Sequence, residues 1–219
     1  KLFARYWLHN GMLTFAGRKM SKSLGNVMIL HELLERYPAE VLRFLLLRAH
    51  YRQPLEWSED TLAQARATLD GWYRVLLDHA DVPVEGDELQ VPEEIEQALC
   101  DDLNTPAAFA VLAGLADQLR QADDSQARRQ RKAALLGAGL LRGLLQDNPE
   151  QWFQQTSAGS EIDPAWVDEL LAQRVAARAA RDFARADEIR KTLSERGIVI
   201  EDGATGTRWR VEAASAVVP

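Results

Sequence analysis

Lys19-Met20-Ser21-Lys22-Ser23, followed by Leu24-Gly25-Asn26, is the stretch of this chain whose residue types are best suited to chemistry. Gly17 and Arg18 precede it, so the run opens from a turn, and no Asp or Glu occurs from Lys1 through His31. Lysines without a nearby acidic partner suit a ligand that brings its own negative charge, phosphate first among them. Gly25 and the small Ser21 and Ser23 let backbone N–H groups approach phosphate oxygens, and a helix is expected shortly afterwards. Lysine fits because it is a point charge on a flexible stem, which a moving loop can bring in. Lys19 and Lys22 are the candidate phosphate-binding cations, and Ser21 and Ser23 lie beside them. For an arbitrary pair of lysines at this spacing a solvated surface turn is the better reading, so the case rests on the whole pentapeptide.

A second cationic element lies near the other end. Arg174, Arg178, Arg181 and Arg185 are spaced four, three and four residues apart, which places them on one helical face. With Phe183 beside them and Trp209 further on, such a stripe suits single-stranded RNA, arginines meeting phosphates and bases while aromatics offer a stacking surface. A solvated face paired with Asp182, Asp187 and Glu188 is the competing reading of the same residues.

The elements that must position these groups read as mainly helical. Residues 1–17 are expected to be extended, with Asn10-Gly11 as a turn between two apolar runs and Trp7 in the core. Val27 to Tyr51 reads as two helices split at Pro38. Leu30, Leu33 and Leu34 form the apolar face of the first, and Val41 to Leu47 make the second buried nearly all round. Ser58 is a helix cap with Glu59 and Asp60 behind it, and Leu62, Ala65, Leu69, Trp72, Tyr73 and Leu76 form one face. Pro92 opens a helix through Leu103. Thr105 caps the next with Pro106 at its first position, and a third spans about Gln126 to Leu145 with a leucine core. Asn148–Ser160 reads as a polar linker, Asp163-Pro164 starts another helix, and Gly197 ends its successor. Residues 198–201 and 207–211 then pair as a hairpin around a turn at 202–206.

Composition narrows the class. With 47% hydrophobic and 27% charged residues the chain can bury a core, and no apolar run approaches the roughly 20 residues needed to cross a bilayer. The lone Cys100 excludes an internal disulfide and fits a reducing compartment, and no signal peptide is apparent, so the cytoplasm is expected. Cys100, His9, His31, His50 and His79 lack ligand spacing, so no metal is expected on this segment. The net charge of −7 hides segregation: residues 1–31 carry five cations and no acid, whereas Val75–Leu119 holds eleven acids and no lysine or arginine. RNA binding needs only a local basic face, so the total decides nothing.

The Lys19–Ser23 pentapeptide resembles, letter for letter, the KMSKS signature of class I aminoacyl-tRNA synthetases. Taken with Tyr6–Met12, Ala49–Arg52, Asp101–Pro106 and Gly197–Asp202 through Arg210, the chain resembles the bacterial cysteinyl-tRNA synthetase family from Lys1 to about Val211. The resemblance implies that residues 1–54 end a catalytic domain carrying the signature loop, with Lys22 in the main phosphate role and Lys19 in a supporting one. Residues 55–160 would form a helical bundle of the anticodon-binding type, and 161–219 a small α+β subdomain with a C-terminal hairpin. It implies ATP with Mg, cysteine and tRNA(Cys) as partners, no membrane, and a monomer. Arg178, Asp187 and Asp202 are the implied base-contacting residues, and Phe183 stands where relatives often carry Trp, which preserves stacking. The HIGH motif, the nucleotide-binding fold and the zinc site would all lie upstream of Lys1, so this segment alone is expected not to aminoacylate. Two other classes compete: an RNA-binding module without chemistry, which has no use for a pyrophosphate clamp, and a tRNA-independent cysteine ligase, which the anticodon-type C-terminus disfavours.

Overall fold

Short polar side chains start five of the helices. Ser58, Asn104, Asp124, Asp163 and Asp182 each accept a hydrogen bond from a backbone N–H in the first turn of the helix that follows. Caps of this kind are worth about 1 kcal/mol each. The computed structural model describes residues 3–15, 18–19, 29–154, 162–203 and 206–211. These residues fall into two compact units, 1–149 and 150–219.

The first unit opens with strands β1 (Leu13–Phe15) and β2 (Arg18–Lys19), then helices α1 (Leu30–Arg36) and α2 (Ala39–Leu47) and strand β3 (Leu55–Trp57). β1 lies centrally, antiparallel to β2 and parallel to β3, with Thr14 opposite Lys19 on one side and Glu56 on the other. Helices α3 (Glu59–Asp78), α4 (Glu93–Cys100), α5 (Thr105–Arg120) and α6 (Ser125–Leu140) complete the bundle, with α3 packed on α2 and α5, and α5 on α4 and α6.

The expected face of α3 is buried throughout: Leu62, Ala65, Leu69, Trp72, Tyr73 and Leu76. Phe44, Trp72 and Phe109 meet in that core, with Phe44 edge-on to both other rings at 5.2 and 4.9 Å. Edge-to-face geometry places the positive edge of one ring on the negative face of the next. The buried Tyr73 donates to Glu40 at 2.8 Å, and Glu40 accepts the Leu145 N–H at 2.8 Å, tying α2, α3 and the segment after α6.

Several expectations change. Asn10-Gly11 is not a hairpin turn, because the chain reverses between Phe15 and Arg18 instead. Gly11 is needed for close approach: its N–H donates to Tyr51 O at 2.6 Å, and a Cβ there would lie 2.0 Å from Gln53 O. Among the described residues of the first stretch only 13–15 form a strand, and Trp7 is 65% exposed, stacked with Phe3 and His9 rather than cored. In α1 only Leu33 is buried, while Leu30 and Leu34 are exposed, as is Leu46 of α2. α4 ends at Cys100 because Asp102 and Leu103 adopt left-handed backbone, φ 52° and 54°. Asn104, not Thr105, caps α5, its side-chain oxygen accepting from the Ala107 N–H at 3.2 Å, which places Thr105 and Pro106 inside the first turn. α6 stops at Leu140, with Leu140 and Leu141 exposed and Leu135, Leu144 and Leu145 buried.

The second unit begins within helix α7 (Pro149–Gln154), which occupies part of the expected linker and buries Trp152 and Phe153. Helices α8 (Pro164–Ala179) and α9 (Phe183–Glu195) pack on each other, and strands β4 (Ile198–Gly203) and β5 (Gly206–Val211) form the hairpin. Its turn is tighter than expected, since Asp202 already pairs with Thr207 and Gly203 with Gly206. Val167, Leu171, Ile189, Leu193, Ile198 and Trp209 form the core.

Candidate nucleotide-end and RNA-contact sites

In the first unit, β2 ends at Lys19, whose backbone is placed by pairing with Thr14. Ser21, Lys22 and Ser23 lie outside the described residues. The neighbouring strand β1 is in turn fixed by the 49–55 connector: Leu55 N–H donates to Met12 O at 3.0 Å, beside the Gly11–Tyr51 bond.

That connector meets the α4–α5 corner at one carboxylate. Asp102 accepts from Tyr51 Oη at 2.7 Å and from Arg52 Nε and Nη2 at 2.7 and 3.1 Å, with His50 Nε2 3.8 Å away. The Arg52 guanidinium, then the Tyr51 hydroxyl, hold the Asp102 carboxyl down to about 2. No sequence spacing announces this contact, because its members are about fifty residues apart. Their only signal is that both lie in the polar blocks Ala49–Arg52 and Asp101–Pro106.

In the second unit the expected arginine stripe is broken. α8 ends at Ala179, Arg181 takes a left-handed backbone at φ 61°, and Arg185 belongs to α9, where it pairs with Glu188 at 2.7 Å. Arg174 and Arg178, one turn apart on α8, converge on Asp202 of β4 instead. Arg174 is only 7% exposed and grips Asp202 with Nη1 and Nη2 at 2.9 and 2.7 Å. Arg178 Nη1 donates to Oδ2 at 3.0 Å, and Thr207 Oγ1 to Oδ1 at 2.9 Å. A carboxylate offers about four lone-pair sites, and all are engaged. Arg174 first, then Thr207, hold the Asp202 carboxyl well below the usual carboxylate range. Arg174, read from sequence as one more cation of the stripe, is therefore the buried anchor of Asp202.

Phe183 opens α9 and is 63% exposed, a free aromatic face beside Arg178's end of α8 in sequence. Asp187 is exposed one turn further along α9, in a shallow groove with Arg190, Lys191 and Ser194. Trp209 is placed otherwise than expected. It is 6% exposed in the core, and its Nε1–H donates to Asp168 at 3.0 Å, so it cannot stack on a base. Among the described residues no three His, Cys, Asp or Glu side chains gather as a metal cluster, and no helix is long and apolar enough to cross a membrane.

Comparison with known proteins matches three family models along the chain. Residues 1–67 match the tRNA synthetases class I (C) catalytic domain, 94–146 the DALR domain, and 164–210 the cysteinyl-tRNA ligase anticodon binding domain. Among curated relatives, the cysteine–tRNA ligases of Parvibaculum lavamentivorans and Xanthomonas campestris pv. campestris are each 51% identical over 95% of this chain, covering 44% and 45% of their own length. That of Paramagnetospirillum magneticum is 47% identical over 96% of the chain and 46% of its own. The chain thus spans less than half the length of these relatives.

Proposed function

We propose, on the premise that this chain belongs to the cysteine–tRNA ligase family and corresponds to its C-terminal part, that the full-length protein activates cysteine with ATP and transfers it to tRNA(Cys). A carboxylate oxygen of cysteine attacks the α-phosphorus of ATP, the bond to the bridging oxygen breaks, and pyrophosphate leaves with the released negative charge. A terminal hydroxyl of the tRNA then attacks the carbonyl carbon of the adenylate and AMP departs. Residues 1–54 end the catalytic domain, 55–160 form the bundle along which tRNA lies, and 161–219 read the anticodon.

Lys22 stabilises the pyrophosphate as it forms, Lys19 supports it from the end of β2, and Ser21 and Ser23 contact the same phosphates. Mg²⁺ arrives with ATP. Zinc draws no ligand set from the described residues of this segment, and no step here runs through it. In the second unit Arg178 and Asp187 meet bases, Asp202 does so when Arg178 releases its carboxylate to the RNA, and the exposed Phe183 stacks on a base. Trp209 is withdrawn from this role because its ring is in the core. The protein acts as a monomer in the cytoplasm.

The observation that carries this reading is the order of the three matched segments along one chain, each on a part of the molecule that suits its role. In the full-length protein, Lys22→Ala should slow ATP–pyrophosphate exchange by about 10²–10³ while leaving the KM for cysteine unchanged. An unchanged exchange rate would sink the assignment.

A further inference from the structure

The proposed chemistry leaves two sequence blocks without a role, Ala49–Arg52 and Asp101–Pro106, and the structure joins them at the Asp102 carboxylate. The backbone there is unusual. Asp102 and Leu103 are consecutive left-handed residues, a conformation that aspartate tolerates and leucine resists. Such strain persists where surrounding contacts over-determine it, and it concentrates at functional positions. Here it swings the Asp102 carboxylate out of the α4–α5 corner and onto Tyr51 and Arg52.

The contacts continue in one direction. Thr105 Oγ1 reaches Ala49 O at 3.4 Å, so the corner holds the connector at two points. The connector holds β1 through the Gly11–Tyr51 and Leu55–Met12 bonds, and β1 holds β2, whose last residue is Lys19. Stability is a poor explanation of this arrangement. The Asp102 side chain is 47% exposed, and exposed ion pairs contribute little to folding. What a two-pronged Arg–carboxylate contact does supply is fixed geometry.

We propose that Asp102 is a positioning residue for Lys19 at the start of the signature segment, locking the connector to the bundle so that the bundle sets where the β1–β2 pair presents it. The proposal rests on the reading of Lys22 above, and the test separates the two. Asp102→Asn is the informative variant, because asparagine keeps the tolerance for left-handed backbone while removing the charge.

In the full-length protein Asp102→Asn should lower the turnover of ATP–pyrophosphate exchange roughly ten-fold at temperatures well below its melting transition, with the KM for cysteine unchanged. Introduced into Lys22→Ala, the same change should cost far less than it does alone, because it acts through the segment that Lys22→Ala has already disabled. Arg52→Gln should behave like Asp102→Asn, and it carries the test if Asp102→Asn lowers the melting temperature. The proposal is overturned by an unchanged exchange rate in both variants, or by an equal loss with and without Lys22. If Lys22→Ala alone leaves exchange intact, the reading of the signature segment fails first and this proposal falls with it.

Discussion

At the scale of single residues, Asp202 shows how a side chain can be a candidate reader and a structural member at once. Its carboxylate is shared by Arg174, Arg178 and Thr207, yet its side chain remains nearly half exposed. Of these partners Arg174 is buried, whereas the Arg178 side chain is 53% exposed. The folded-state pKa of Asp202 lies below its unfolded value of 3.8, so the contact stabilises the fold at pH values above that, and the stabilisation is lost as pH falls toward the folded value. Wild-type protein should therefore melt higher than Asp202→Asn at pH 7, and the gap should shrink as pH falls below about 4. Thermal melts across that range check it, and a gap that widens in acid would contradict the ion-pair network.

At the scale of elements, glycines decide how closely segments approach. A Cβ on Gly137 of α6 would lie 2.4 Å from Gln90 O, so backbone stands on both sides of the contact and cannot yield as a side chain would. A Cβ on Gly114 of α5 would meet nothing within 4 Å. Alanine is intrinsically the better helix former by about 1 kcal/mol, which decides the uncrowded case and loses in the crowded one. Gly114→Ala should stabilise by about 0.5–1 kcal/mol, and Gly137→Ala should destabilise by about 1–3 kcal/mol. Denaturant melts of both variants test the pair, and a shift of the same sign in both would refute the packing argument.

At the scale of the whole molecule, the second unit carries its own core. Val167, Leu171, Ile189, Leu193, Ile198 and Trp209 pack among themselves, with Ile162, Trp166, Leu170, Ile200 and Val211 around them. Removing residues 161–219 therefore takes away a complete apolar cluster rather than half of one. Full-length protein lacking them should keep ATP–pyrophosphate exchange within a few-fold, about 1 kcal/mol, and lose charging of tRNA(Cys). Intact charging by the truncated protein would remove the anticodon role from this unit.

Much of this was legible in the residues alone. Helix starts at Ser58, Pro38-Ala39 and Asp163-Pro164, the buried face of α3, the terminal hairpin and the family all follow from signals spanning a few residues or one helical face. Those signals act within the reach of a cap, a turn or a helical period, so local sequence carries them. The sequence did not determine which tryptophan is buried, because burial depends on what the rest of the chain places against it. Trp7, expected inside, is exposed, and Trp209, expected to face RNA, is core. Likewise the ends of α4 and α6, the close approach at Gly11, the anchoring of Asp202 by Arg174 and the union of Asp102 with Arg52 join residues far apart in the chain. Only the tertiary structure decided these, because each is a competition between local preference and a partner that packing brings near.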